Sequence, residues 1–115
     1  MATNGTTITL DNGLTRRRIV IADISTAADI LPALGAGIKG RIIGGRLSIS
    51  AAGTLEIRQG VETEPQMFLK PTTAGILVIG QNDQIVSNSN EALKIINSAA
   101  ATCEGYIDYH TGTDV

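Results

Sequence analysis

Aromatic side chains are nearly missing from this chain: one Phe, two Tyr and no Trp in 115 residues. The core therefore falls to aliphatics, and 16 Ile, 9 Leu and 5 Val supply it. β-Branched side chains fit a pleated, half-buried surface, so the profile favours strands. A lone Cys excludes an internal disulfide. With a single His, most hydrolytic and metal-dependent mechanisms have little to work with. No apolar run approaches the roughly 18 residues of a membrane helix, and Met1 to Thr7 has neither the basic nor the apolar segment of a secretion signal. The expectation is a soluble protein, made in a cytoplasm, with no membrane contact. At 115 residues the chain is one domain, long enough to bury roughly 65% of its unfolded surface.

Charge is unevenly placed. The formal net charge is −2, but residues 1–60 carry +3 and residues 61–115 carry −5. If the halves occupy different faces, such a molecule attracts copies of itself or a surface of fixed charge. If strands from the two halves interleave, the asymmetry averages out.

Turn chemistry divides the chain into short strands. Asn12-Gly13, between Thr6–Leu10 and Leu14–Ile24, predicts a hairpin with a type I′ turn. Ile19 and Ile21 point one way and Val20, Ala22 and Ile24 the other, which predicts a strand covered on both faces. Ser25 to Leu31 reads as one or two helical turns ended by Pro32, or as a loop. Gly44-Gly45 marks a bend or bulge within an alternating run. A second hairpin is expected around Ala51-Ala52-Gly53, with Leu47, Ile49, Leu55 and Ile57 inward and Glu56 and Arg58 outward. Gln66 to Leu69 and Gly75 to Ile79 flank a turn, and Ile76 to Ile79, apolar on both faces, belongs in a sandwich centre or under a partner subunit. Glu91 to Ala101 fits helix and strand periodicities alike. Cys103 to Tyr109 closes the domain as a strand, with Cys103, Ile107 and Tyr109 on one face and Glu104, Tyr106 and Asp108 on the other. The sum is an all-β antiparallel β-sandwich or barrel of about eight strands over residues 8–109, with a flexible N-terminal arm at 1–7 and a flexible tail at 110–115.

Four groupings invite a chemical reading. Gly35-Ala-Gly-Ile-Lys-Gly40 has the letters of a dinucleotide fingerprint but not its strand-before, helix-after context, so it reads as a glycine-rich connection. Cys103 and His110 stand on opposite faces of a strand, which leaves Cys103 a buried structural thiol. Glu104, Asp108 and His110 share a face but lack a second cluster to complete a metal site. Arg16-Arg17-Arg18 is the one dense charge run. Nucleic-acid binding calls for a basic domain and stacking aromatics, whereas the pI here is about 5.2. Protein contact or a solvated strand end remains.

Ile30-Leu-Pro-Ala, then Gly40 to Arg58, then Asn90-Glu-Ala-Leu-Lys-Ile95, then Gly105-Tyr-Ile-Asp-Tyr109 resembles a group of small structural proteins of tailed bacteriophages. The resemblance covers roughly residues 30–109. It implies a jelly-roll sandwich in which Glu91 to Ile96 is a strand, and a non-enzymatic virion protein that decorates the outer capsid surface as a homotrimer bound to the major capsid protein. It brings no catalytic residue and no cofactor. Arms in that group reach to neighbours, which gives Ala2, Thr3, Asn4, Thr6 and Thr7, with Arg16, Arg17 and Arg18, a use as capsid or subunit contacts. Ile76, Leu77, Val78 and Ile79 are the candidate trimer interface. The alternatives are a tail or baseplate module that binds a host glycan, for which aromatic platforms are scarce, and a cupin-like metalloenzyme, for which histidines are scarce.

Overall fold

A computed structural model describes residues 4–59 and 74–115 and the backbone of the strand Pro65–Thr72. Among the described residues nine strands follow one another: β1 (Thr7–Thr9), β2 (Thr15–Ile21), β3 (Ala28–Leu31), β4 (Lys39–Ile49), β5 (Gly53–Gln59), β6 (Pro65–Thr72), β7 (Gly75–Gly80), β8 (Leu93–Asn97) and β9 (Cys103–Gly112). They form a five-stranded sheet, β1-β2-β9-β4-β7, and a four-stranded sheet, β3-β8-β5-β6. All ladders are antiparallel.

The pairing is nested. β5 pairs with β6, β4 with β7, β3 with β8 and β2 with β9, as in one long hairpin. That hairpin is then rolled so that β9 also meets β4 and β8 also meets β5. The result is an antiparallel β-sandwich of jelly-roll type, with β1 added at one edge. Rolling brings the inward aliphatics of both sheets together: Ile19, Ile42, Leu47, Ile79 and Ile107 face Ile30, Leu55, Ile57, Leu93 and Ile95, all essentially inaccessible. All ten are Ile or Leu on strands, which is why a chain so poor in rings still closes a core.

Several expectations are corrected by this topology. Gly53 does not sit in a hairpin, because β4 and β5 belong to different sheets. Alternation fixes which side chains face inward, and it does so correctly for Leu47, Ile49, Leu55 and Ile57, but it does not say which sheet each strand joins. The short connection is a corner, tied to the β8–β9 corner by Ser50 N–H to Thr102 O (3.2 Å), Thr102 N–H to Ser50 Oγ (2.8 Å) and Thr54 N–H to Ser98 Oγ (2.8 Å). β6 and β7 are likewise split between the sheets.

Ala28 to Leu31 is strand rather than helix or loop, since pairing with β8 buries Ile30 and Leu31. Glu91 to Ala101 resolves as β8, with Leu93, Ile95 and Asn97 inward. β2 is covered on one face only: Ile19 is buried and Val20 is half-exposed on the outer face. The β1–β2 hairpin exists, but its positive φ falls on Gly13 (86°) and not on Asn12, and Gly13 N–H bonds to Leu10 O (3.0 Å). This fits a type I turn closed by a left-handed glycine. At the other terminus His110, Thr111 and Gly112 continue β9 where a tail was expected, because β4 extends far enough to pair with them. Ile43 forms the expected bulge beside Gly44.

Gly105 shows how tightly β9 is held. Its φ is 152°, and a Cβ there would stand 1.9 Å from the Arg46 carbonyl oxygen. Gly13 also needs positive φ, yet nothing lies within 4 Å of its missing Cβ. In urea unfolding, Gly105→Ala is expected to lose about 3 kcal/mol or more, from strain and overpacking together. Gly13→Ala is expected to lose only about 1 kcal/mol, the left-handed conformation alone.

Candidate functional site

The outer face of the five-stranded sheet is covered by no element among the described residues, and the register fixes what it presents. One cross-strand row runs Ile8, Arg16, Asp108, Gly44, Gly80; the next runs Arg18, Tyr106, Arg46, Val78; the third runs Val20, Glu104, Ser48, Ile76. Charges from the first half of the chain, on β2 and β4, therefore flank charges from the second half on β9. The halves interleave, so the asymmetry along the chain is partly neutralised in space.

Arg16 is fixed on this face beside the central strand β9. Its Nε donates to Asp108 Oδ1 at 2.7 Å and its Nη2 to Asp108 Oδ2 at 2.9 Å, a bidentate fork. The guanidinium also lies 3.9 Å over the Tyr106 ring. The hydrogen bond to Asp108 raises the Arg16 pKa above its ordinary value, against a smaller opposing cost of burial. Arg16 thus keeps its charge through the whole working pH range. In the neighbouring row, Arg18 and Arg46 are both exposed and have no ion-pair partner among the described residues. A cleft of about 350 Å³ opens here, lined by Thr6, Ile8, Arg16, Arg18, Gly105 and Tyr106.

Arg17 points the other way, as alternation requires. Its Nη1 donates to the Gly5 carbonyl at 3.2 Å, while its buried Nε has no hydrogen-bond partner. The triplet is therefore three different residues: a paired one, an inward one and a free one. Asn4 and Thr6, expected in a flexible arm, lie along β2 instead. Val20 N–H donates to Asn4 Oδ1 (2.9 Å), Gly5 N–H to Arg18 O (2.7 Å) and Arg18 N–H to Thr6 O (2.8 Å). Thr7 is the first residue of β1. Ala2 and Thr3 lie outside the described residues.

The four apolar candidates separate by face. Ile76 and Val78 are 66% and 59% exposed on the outer face, whereas Leu77 packs against the core and Ile79 is buried in it. β7 is an edge strand and not a central one. The third large exposed hydrophobic, Ile8 at 57%, lies on β1 at the opposite edge of the same sheet and on the same face. Sequence reading missed Ile8, Arg46 and Tyr106 as members of this surface. Alternation already turned Tyr106 outward, but its place between two arginines comes from cross-strand register.

The remaining groupings are structural. Gly35 to Ile38 is part of the connection between β3 and β4 and Lys39-Gly40 opens β4; Asn90 Oδ1, Ser89 Oγ and Ser87 Oγ hold the segment by accepting from the N–H groups of Gly35, Gly37 and Gly40 at 3.1, 2.8 and 2.8 Å. On the other sheet a hollow of about 230 Å³ is bordered by the Glu56–Arg58 ion pair. No metal-ligating cluster occurs among the described residues. No helix among them is long and apolar enough to cross a membrane.

Cys103 is fully buried, and burial pushes its thiol up to about 12, with Glu104 a smaller contributor. Because the folded value lies above the unfolded one, stability is expected to fall as pH rises from 9 toward 12. In the native state at pH 8, Cys103 should resist a water-soluble thiol reagent and react fully once urea unfolds the chain. Rapid labelling of the native protein would contradict this burial. No protein-family model matches the chain, and neither the curated proteins nor the solved structures yield a match.

Proposed function

We propose that this protein is a non-catalytic virion component that associates as a homotrimer and binds the outside of an icosahedral phage capsid, stabilising it through contacts with the major capsid protein. The observation that carries the reading is the uncharged edge strand β7, Gly-Ile-Leu-Val-Ile-Gly, which exposes Ile76 and Val78 side by side on one face. An open apolar edge invites pairing with another chain. In a protein that works as an assembly it is the contact surface. Beside it the exposed Arg18 and Arg46 offer cations to an acidic protein surface.

A rigid jelly roll suits such a part. Its contribution is mechanical: a trimer that touches several capsid subunits at once binds with avidity, and it stabilises only the assembled lattice. Tyr106, an aromatic on this face, already has a ring face covered by Arg16. That arrangement favours a protein partner over a stacked sugar.

Native mass spectrometry is expected to give a trimer of the 12.0 kDa chain. Ile76→Thr with Val78→Thr should convert it to monomer with an unchanged far-UV spectrum. The wild-type trimer should co-sediment with undecorated, expanded heads of tailed phages. A monomer that fails to pellet with heads contradicts the proposal, and so does a trimer that ignores heads and binds a glycan array.

A further inference from the structure

The two sheets treat their edges differently. In the four-stranded sheet, edge strand β3 carries Asp29, ion-paired with Lys94 at 3.3 Å, and is followed by Pro32. The other edge, β6, includes Pro65, Lys70 and Pro71 in its sequence. Charge and proline are the usual means of blocking edge-to-edge pairing. In the five-stranded sheet neither edge has them: β1 is Thr-Ile-Thr and β7 is Gly-Ile-Leu-Val-Ile-Gly. All three large exposed hydrophobics among the described residues, Ile8, Ile76 and Val78, stand on these two edges and on the same outer face.

Direction also matches. With antiparallel neighbours throughout the order β1-β2-β9-β4-β7, the two edge strands run parallel to each other. A second copy rotated about an axis along the strands thus presents its β1 to the first copy's β7 without reversing either. Pairing of β7 with β7 about a two-fold axis covers Ile76 and Val78 but leaves Ile8 and the β1 edge open. A contact between β1 and β7 covers all three residues and closes both edges. Such a contact is heterologous, and a heterologous contact whose rotation closes builds a ring.

We infer that the chain assembles head to tail, the β1 edge of one copy against the β7 edge of the next, with Ile8 level with Gly80 and diagonal to Val78 of its neighbour. The inference rests on the self-association proposed above and specifies its geometry. Within one copy the two edges are separated by four strand spacings, on the order of 19 Å. A short linker between positions 8 and 78 therefore joins different copies.

The test uses Ile8→Cys, Val78→Cys and the double variant, treated with a short bis-maleimide; buried Cys103 leaves no competing thiol. The double variant is expected to run as covalent dimer and trimer on a denaturing gel, and each single variant as monomer. Cross-linking of Val78→Cys alone overturns the head-to-tail arrangement in favour of β7 meeting β7. A wild-type trimer whose double variant does not cross-link removes the inference and leaves the trimer standing. A monomeric wild type removes both. As an independent check, Ile8→Lys should dissociate the trimer although β7 is untouched, and persistence of its trimer also overturns the inference.

Discussion

β9 lies between β2 and β4, and most of the molecule depends on its pairing with both at once. Ten residues of β4 and seven of β2 are in register with it. Gly105 allows the approach, since any side chain there would drive into the Arg46 carbonyl. From this double pairing follow the interleaving of the two oppositely charged halves, the Arg16–Asp108 fork and the placing of Tyr106 between Arg18 and Arg46. The same pairing closes the roll, because β9 brings the last strand of the chain against β2 near its beginning. Such nested, non-local contacts form only after large loops have closed, which marks this as a slow-folding topology.

Faces were legible in the sequence, and neighbours were not. Period-2 alternation assigned Leu47, Ile49, Leu55, Ile57, Cys103, Ile107 and Tyr109 to the core and Glu56, Arg58, Tyr106 and Asp108 to the outside. Alternation is a local property of the pleat, which is why it survives without knowledge of the partner strand. Sheet membership is not local. The three residues between β4 and β5 fit a hairpin loop as well as a corner, and only hydrogen bonds to the β8–β9 corner distinguish the two. The candidate surface divides in the same way. Arg16, Arg17 and Arg18 stood out as a run, but that they serve three different purposes depends on Asp108 and Gly5, which meet them only in the fold. Ile8 carried no signal in the sequence beyond being one isoleucine among many.

The two sheets differ in how their edges are guarded. Charge and proline keep an edge from pairing, whereas an uncharged edge bearing exposed isoleucine and valine is open to it, and the proposed contact uses the open ones. Between those two edges lie Arg18 and Arg46, without an ion-pair partner among the described residues. In the proposed reading, self-association at the edges and capsid docking over the cationic rows draw on one sheet and leave the other to complete the core.

The most direct measurement of whether these edges are contacts is amide hydrogen exchange on the assembled protein, followed strand by strand as it is diluted. If the edges are contacts, β1 and β7 amides are protected in the assembly and lose that protection together on dissociation, while β9 and β4 keep theirs. Edge amides that exchange as fast in the intact assembly as in the monomer would place the association elsewhere and contradict this reading.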